Sequence, residues 1–271
     1  MEDEKGAYQL MKEMVQEIIQ FRHLLYMLAW RDIKIRYKQT VMGFLWAVFM
    51  PTLIVLAGLV VRKAMSVLSG KPIEMSELVS VMVKALPWAF FIGTIRFATN
   101  SLVGNMNLVT KIYFPREVFP LSAVLANLFD FAIAFFALVA AFVVFQVEVT
   151  IYALWFLPLT VLLVIMTAGF GMILSCANLF FRDVKYIVEV VVTFAIFFTP
   201  VFYEAKAFGK WETLLMLNPV GTILESMSLA IVHHRSPDPF WLSYASLWAF
   251  GGFFVSWYVF HRSEHLFAEN I

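Results

Sequence analysis

Charge is scarce in this 271-residue sequence: 14% of its residues are Asp, Glu, Lys or Arg, against 62% hydrophobic ones. A soluble domain of this length needs far more polar surface to cover itself, so a water-soluble globular fold is excluded and a bilayer becomes the solvent. The net charge of +1 leaves no strong field for nucleic acid. Cysteine occurs once, as Cys176 in an apolar run, which excludes intrachain disulfides and multi-cysteine metal sites. No GxxxxGK[ST] phosphate loop occurs, so neither ATP hydrolysis nor a bound cofactor is expected on this chain. His233 and His234 are adjacent and cannot form a helical i, i+4 metal pair. No metal site is expected. The opening MEDEKGAYQL lacks a basic start and an apolar core, so no signal peptide is expected.

Long apolar runs are what the sequence has. Hydrocarbon about 30 Å thick needs about 20 apolar helical residues. Stretches 43–61, 86–104, 120–145, 151–177, 187–203 and 240–260 reach or approach that length, 187–203 being the shortest. They predict an all-α polytopic membrane protein of six transmembrane helices in one domain. Segment 211–232 is apolar but interrupted by Asn218 and Pro219, and reads as re-entrant or interfacial on the outer side. In residues 8–30, Leu10, Met11, Met14, Val15, Ile18 and Ile19 recur at helical spacing, with Lys12, Glu13, Gln16, Glu17 and Gln20 on the other face. Such an amphipathic helix lies along the cytoplasmic interface or packs on another subunit. Lys and Arg favour a cytoplasmic location for both termini, chiefly through the cluster Arg31, Lys34, Arg36 and Lys38 before the first span. Arg62, Lys63, Lys71, Lys84, Lys206, Lys210 and Arg235 then fall in outer segments.

Charges inside a bilayer are costly and mark functional candidates. Arg96, Asn100 and Asn107 share one helical stripe, and Asn127 and Asp130 make an i, i+3 pair. Arg96 and Asp130 are about 14 and 15 Å from the cytoplasmic edge at 1.5 Å per residue, so an ion pair between them is expected. It would serve as structural glue or as a polar step in a pore. Glu189 is expected near the inner interface beside Lys185. The small-xxx-small spacings Gly171/Ser175 and Gly252/Ser256 suggest close helix contact or a dimer face. Phe44, Trp46 and Phe49 open the first span, and Phe197, Phe198 and Tyr203 crowd the fifth. They read as lipid-facing bulk, or as a ring-lined conduit along which sugar rings slide between weak sites.

Four segments in order carry a resemblance. They are LAWRDIKIRYKQTVMGFLWAVFMPTL (28–53), KIYFPREVFPLS (111–122), FRDVKYIVEVVVTFAIFFTPVFY (181–203) and LNPVGTILESMSLAI (217–231). Together they resemble the permease subunits of type-2 ABC exporters for O-antigen, capsule or wall teichoic acid. Residues 226–228 depart from the aromatic-Arg pair often found there. The resemblance implies a homodimer in a bacterial cytoplasmic (inner) membrane, with two separate ATPase subunits that carry ATP and Mg, and a lipid-linked polysaccharide as cargo. It implies that segment 108–119, with Lys111, Tyr113, Phe114, Pro115, Arg116 and Glu117, is the ATPase-coupling helix, and that 211–232 forms an outer gate. It also implies that Arg31, Lys34, Arg36 and Lys38 meet the cargo's pyrophosphate. Pro115 and Pro120 bracket a short turn, where Arg116 and Glu117 would offer paired charges to the partner. Pore-lining candidates are Phe44, Trp46, Phe49, Arg96, Asn100, Asp130, Phe197, Phe198 and Tyr203. Two other readings are a type-2 ABC permease for a drug or lipid, and a membrane enzyme acting on a polyprenyl lipid.

Overall fold

Two of the helices begin on a short polar side chain followed by proline. Asn218 Oδ1 accepts from the Val220 and Gly221 N–H groups, with Pro219 as first helical residue. Asp238 does the same for Phe240 and Trp241, ahead of Pro239. The side chain satisfies amides that have no partner within the helix, and proline has no N–H to leave unpaired. The Asn218–Pro219 step therefore starts a helix, where the sequence read it as an interruption.

The computed structural model describes residues 16–38, 40–70, 72, 74–111, 114–264 and 267, and among them the regular structure is helical, with no strand. The helices are α1 (Arg22–Tyr37), α2 (Leu45–Ser69), α3 (Met75–Asn100), α4 (Met106–Lys111), α5 (Val118–Val144), α6 (Phe156–Phe180), α7 (Val184–Phe198), α8 (Glu212–Met216), α9 (Pro219–Val232) and α10 (Pro239–Ser263). The stretches Leu45–Leu68, Met75–Asn100, Val118–Val144 and Ile151–Phe180 are long and apolar enough to cross a membrane. The chain is thus an all-helical polytopic membrane protein. With 15 residues, α7 spans about 22 Å. The 25 residues of α10 give it sufficient length, but its Trp, Tyr, Ser and Gly content lowers its hydropathy.

Several boundaries differ from the sequence expectation. The first two long helices extend towards each other beyond 43–61 and 86–104, and a short connection after Gly70 joins them. Arg62, Lys63 and Lys84 consequently lie on helices instead of an outer loop. The polar stripe stops at Asn100, where α3 ends, and Asn107 belongs to α4. Of the amphipathic segment 8–30, residues 8–15 lie outside the described residues. Helix α1 continues past residue 30 to Tyr37, so Arg31, Lys34 and Arg36 of the basic cluster are helical and Lys38 follows the helix end. Its contacts climb α5: Asp32 Oδ2 is 3.4 Å from Ser122 Oγ, and Arg36 reaches Asn127 and Asp130.

Lipid tails are as apolar as leucine, so helix association here depends on close packing more than on transfer from water. Helix α3 sits at the centre, mostly buried, touching α2, α5, α6, α7 and α9. The most extensive helix pair is α6 with α10. There a Cβ on Gly169 would come 2.9 Å from Phe253 Cα, so backbone meets backbone. A Cβ on Gly171 would come 2.9 Å from Ala98 Cβ on α3, and Ser175 is fully buried. The 171/175 spacing therefore serves packing within the chain rather than a dimer face. By contrast α2 is largely exposed.

Candidate functional site

A cavity of about 520 Å³ opens between α1, α2, α3, α5 and α7. Apolar groups such as Trp46, Met50, Phe90 and Phe131 form most of its wall, and Arg36, Arg96, Asn127 and Asp130 supply its polar end. The Asp130 carboxylate accepts from the Arg36 guanidinium and from the Tyr37 hydroxyl. Arg36 also donates to Asn127 Oδ1 at 3.3 Å, and its guanidinium lies 4.0 Å from the Phe97 ring centroid. Arg96 Nε is 2.9 Å from Glu189 Oε2, and Nη2 donates to Thr193 Oγ1 at 3.3 Å. Asn100 caps this group by donating to the Arg96 carbonyl at 3.4 Å.

The expected Arg96–Asp130 pair is therefore replaced by two others, Arg36–Asp130 and Arg96–Glu189. Matching depth on α3 and α5 was not sufficient, because α1 and α7 each bring a nearer charge. Glu189 is correspondingly taken by Arg96 instead of Lys185. Within the basic cluster, Arg31 is held by Asp32 and by Asn105 Oδ1, each at 2.8 Å, while Lys34 and Lys38 are exposed.

Among the aromatic candidates, Trp46 lines the cavity. Its ring meets Phe49 edge-on at 5.4 Å, and Phe44 packs on Tyr37 at 4.6 Å. Phe197 and Phe198 are exposed. Tyr203 folds back, donating its hydroxyl to the Phe197 carbonyl at 2.8 Å.

The 108–119 segment differs from a turn that offers charges outward. Phe114 and Pro115 are buried, and Glu117 is 2% exposed. Glu117 Oε1 lies 3.0 Å from His261 Nδ1, and Arg116 Nη1 donates to the Glu264 carbonyl at 2.7 Å. These two charges are thus committed to the end of α10, because a buried carboxylate needs a partner at once. Tyr113 and the Lys111 side chain lie outside the described residues. The hydrogen bond that His261 donates to the Glu117 carboxylate holds its imidazole above the ordinary range, and burial pushes Glu264 up. Among the described residues Glu117, His261 and Glu264 have metal-ligand spacing. The Arg116 guanidinium, with Nε 3.8 Å from Glu264 Oε1, already brings a positive charge to the trio.

Sequence reasoning missed a second charged group. Lys84 is wholly buried, 3.6 Å from Glu225 Oε1, and Arg62, 7% exposed, pairs with Glu77 at 3.0 Å. The signal was present: Lys84 stands between Val83 and Ala85 in an apolar run, where a charge marks a membrane-embedded partner.

Over residues 23–232 the chain matches the model of a protein family described as ABC-2 type transporter. It is 29% identical over 275 residues to the O-antigen export system permease protein RfbA of Myxococcus xanthus, covering 96% of this chain and 100% of that protein. A protein of the same name from Klebsiella pneumoniae is 28% identical over 209 residues, covering 75% of this chain and 78% of that one.

Proposed function

The chain belongs to the ABC-2 type transporter family, and we propose that it is the membrane-spanning subunit of an exporter that carries a lipid-linked polysaccharide across the cytoplasmic membrane. Membership makes it a transport subunit. The energy comes from ATP hydrolysed with Mg on separate subunits. The observation that carries the cargo is the likeness to an O-antigen export permease along nearly the whole chain.

Two copies of the chain enclose the passage, each with six crossings and both termini on the cytoplasmic side. Two ATPase subunits dock at segment 108–119. The buried Phe114, Pro115 and Glu117 then anchor that segment to the permease. The cavity's chemistry supports an amphiphilic cargo: the paired charges of Arg36, Asp130 and Arg96 make one end polar and suit a head group, and the aromatic and aliphatic wall suits a chain or sugar faces. The Arg96–Glu189 pair is 38% and 51% exposed. Charges that open do not face hydrocarbon, which supports a water-filled passage or a second copy on that side.

The test is genetic. Cells lacking the chain should accumulate lipid-linked polymer on the cytoplasmic side, and re-expression should clear it to the surface. Unchanged surface polymer, with loss of extrusion of a small amphiphile, would point instead to a drug or lipid permease.

A further inference from the structure

Lys84 has no exposed surface, although it stands in an apolar stretch of α3. Its Nζ donates to the Tyr203 carbonyl at 2.7 Å and lies 3.6 Å from Glu225 Oε1 on α9. The same Glu225 oxygen accepts the Ala205 N–H at 2.6 Å. The ion pair thus grips the backbone on both sides of Glu204 and clips the connection after α7 between α3 and α9. Parallel contacts close the same seam. The Ser80 and Ser228 hydroxyls are 2.8 Å apart, one turn from the pair on each helix. Asn218 donates to Thr199 Oγ1 at 2.9 Å. A Cβ on Gly221 would stand 2.8 Å from Pro200 Cδ.

The Lys84–Glu225 pair keeps two charges out of water, which only good geometry and further hydrogen bonds repay, here to the Tyr203 carbonyl and from the Ala205 N–H. Its specific property is sensitivity to water. While the seam is dry the charges attract strongly, and once water enters each is solvated and the attraction fades.

We propose that Lys84 is a positioning residue for export. Paired with Glu225, it acts as a clasp that holds the 199–205 connection and α9 closed against α3, and it parts when that end opens for cargo. This rests on the export reading and on the outer placement of α9.

The test uses the full chain assembled with its ATPase subunits. Cys176→Ser with Ser228→Cys leaves one reporter thiol in the seam, read with a membrane-impermeant maleimide. With the clasp intact, labelling should be slow without ATP and several-fold faster during turnover. With Lys84→Met and Glu225→Gln added, labelling should be fast with or without ATP. ATP hydrolysis should then persist while polymer export falls several-fold. Lys84→Arg should restore slow labelling. If the double variant fails to assemble, Glu225→Gln alone carries the same comparison. Labelling as slow as with the clasp intact, or export at the intact rate, would overturn the proposal. Failure of the export reading is separate: the intact chain would then leave lipid-linked polymer uncleared while the labelling contrast persisted.

Discussion

His261 Nδ1 stands 3.0 Å from Glu117 Oε1 and so ties the last turn of α10 to the start of α5. Glu264 and Arg116 complete the junction, and the Glu17 carboxylate adds to the field at the ring. This links the proposed ATPase-coupling segment to the helix that packs most extensively on α6.

The junction should respond to pH. The Glu117 hydrogen bond and the surrounding carboxylates raise His261 above its unfolded value, against burial. Its stabilisation is therefore complete below about pH 6.5 and is lost as pH rises through the higher folded value. Glu264, raised by burial, loses stability in the same direction, but from lower pH. Thermal unfolding of the detergent-solubilised chain should show a midpoint that falls by a few degrees as pH rises above about 6.5. His261→Gln should flatten that part of the profile. Identical slopes for both proteins would remove the pair from the account.

The two ion pairs at the cavity should differ in worth. Arg36 and Asp130 are 19% and 18% exposed, so Arg36→Ala leaves a largely buried carboxylate short of a partner and should cost about 3 kcal/mol. Arg96→Ala breaks a more open pair and should cost less than about 1 kcal/mol. In double-mutant cycles by denaturant unfolding, Arg96 should couple to Glu189 and not to Asp130. Coupling between Arg96 and Asp130 would reinstate the pairing expected from depth alone.

Glycine positions offer a test of packing. Gly169→Leu drives a side chain into the Phe253 backbone and should destabilise by about 1–3 kcal/mol. Gly251 on α10 has nothing within 4 Å of a Cβ, so Gly251→Ala should be neutral or gain up to about 1 kcal/mol. Thermal unfolding in detergent distinguishes the two, and equal effects would contradict the close α6–α10 contact.

Apolar run length made the helical membrane architecture readable in advance, since a bilayer imposes that length directly. The third long helix was placed within two residues at its start and one at its end, because its flanks are charged or polar. The first two were cut short because Arg62, Lys63 and Lys84 looked like loop charges. The partners of Arg62 and Lys84, Glu77 and Glu225, come from α3 and α9, and no local pattern says which residues they are. The cavity's charges were read correctly as unusual and paired wrongly. Arg36 reaches Asp130 across 94 positions of sequence, and periodicity within single helices says nothing about which helices meet. Burial of Glu117 was hidden for the same reason: its partner lies 144 positions away.

The most direct test of the central claim is reconstitution. The purified chain, combined with its cognate ATPase subunit in liposomes, receives lipid-linked polysaccharide on the ATPase side. The account predicts that ATP turnover rises with added substrate and that polymer appears on the opposite side only when ATP is hydrolysed. Polymer that stays on the ATPase side, with turnover indifferent to it, would contradict the account.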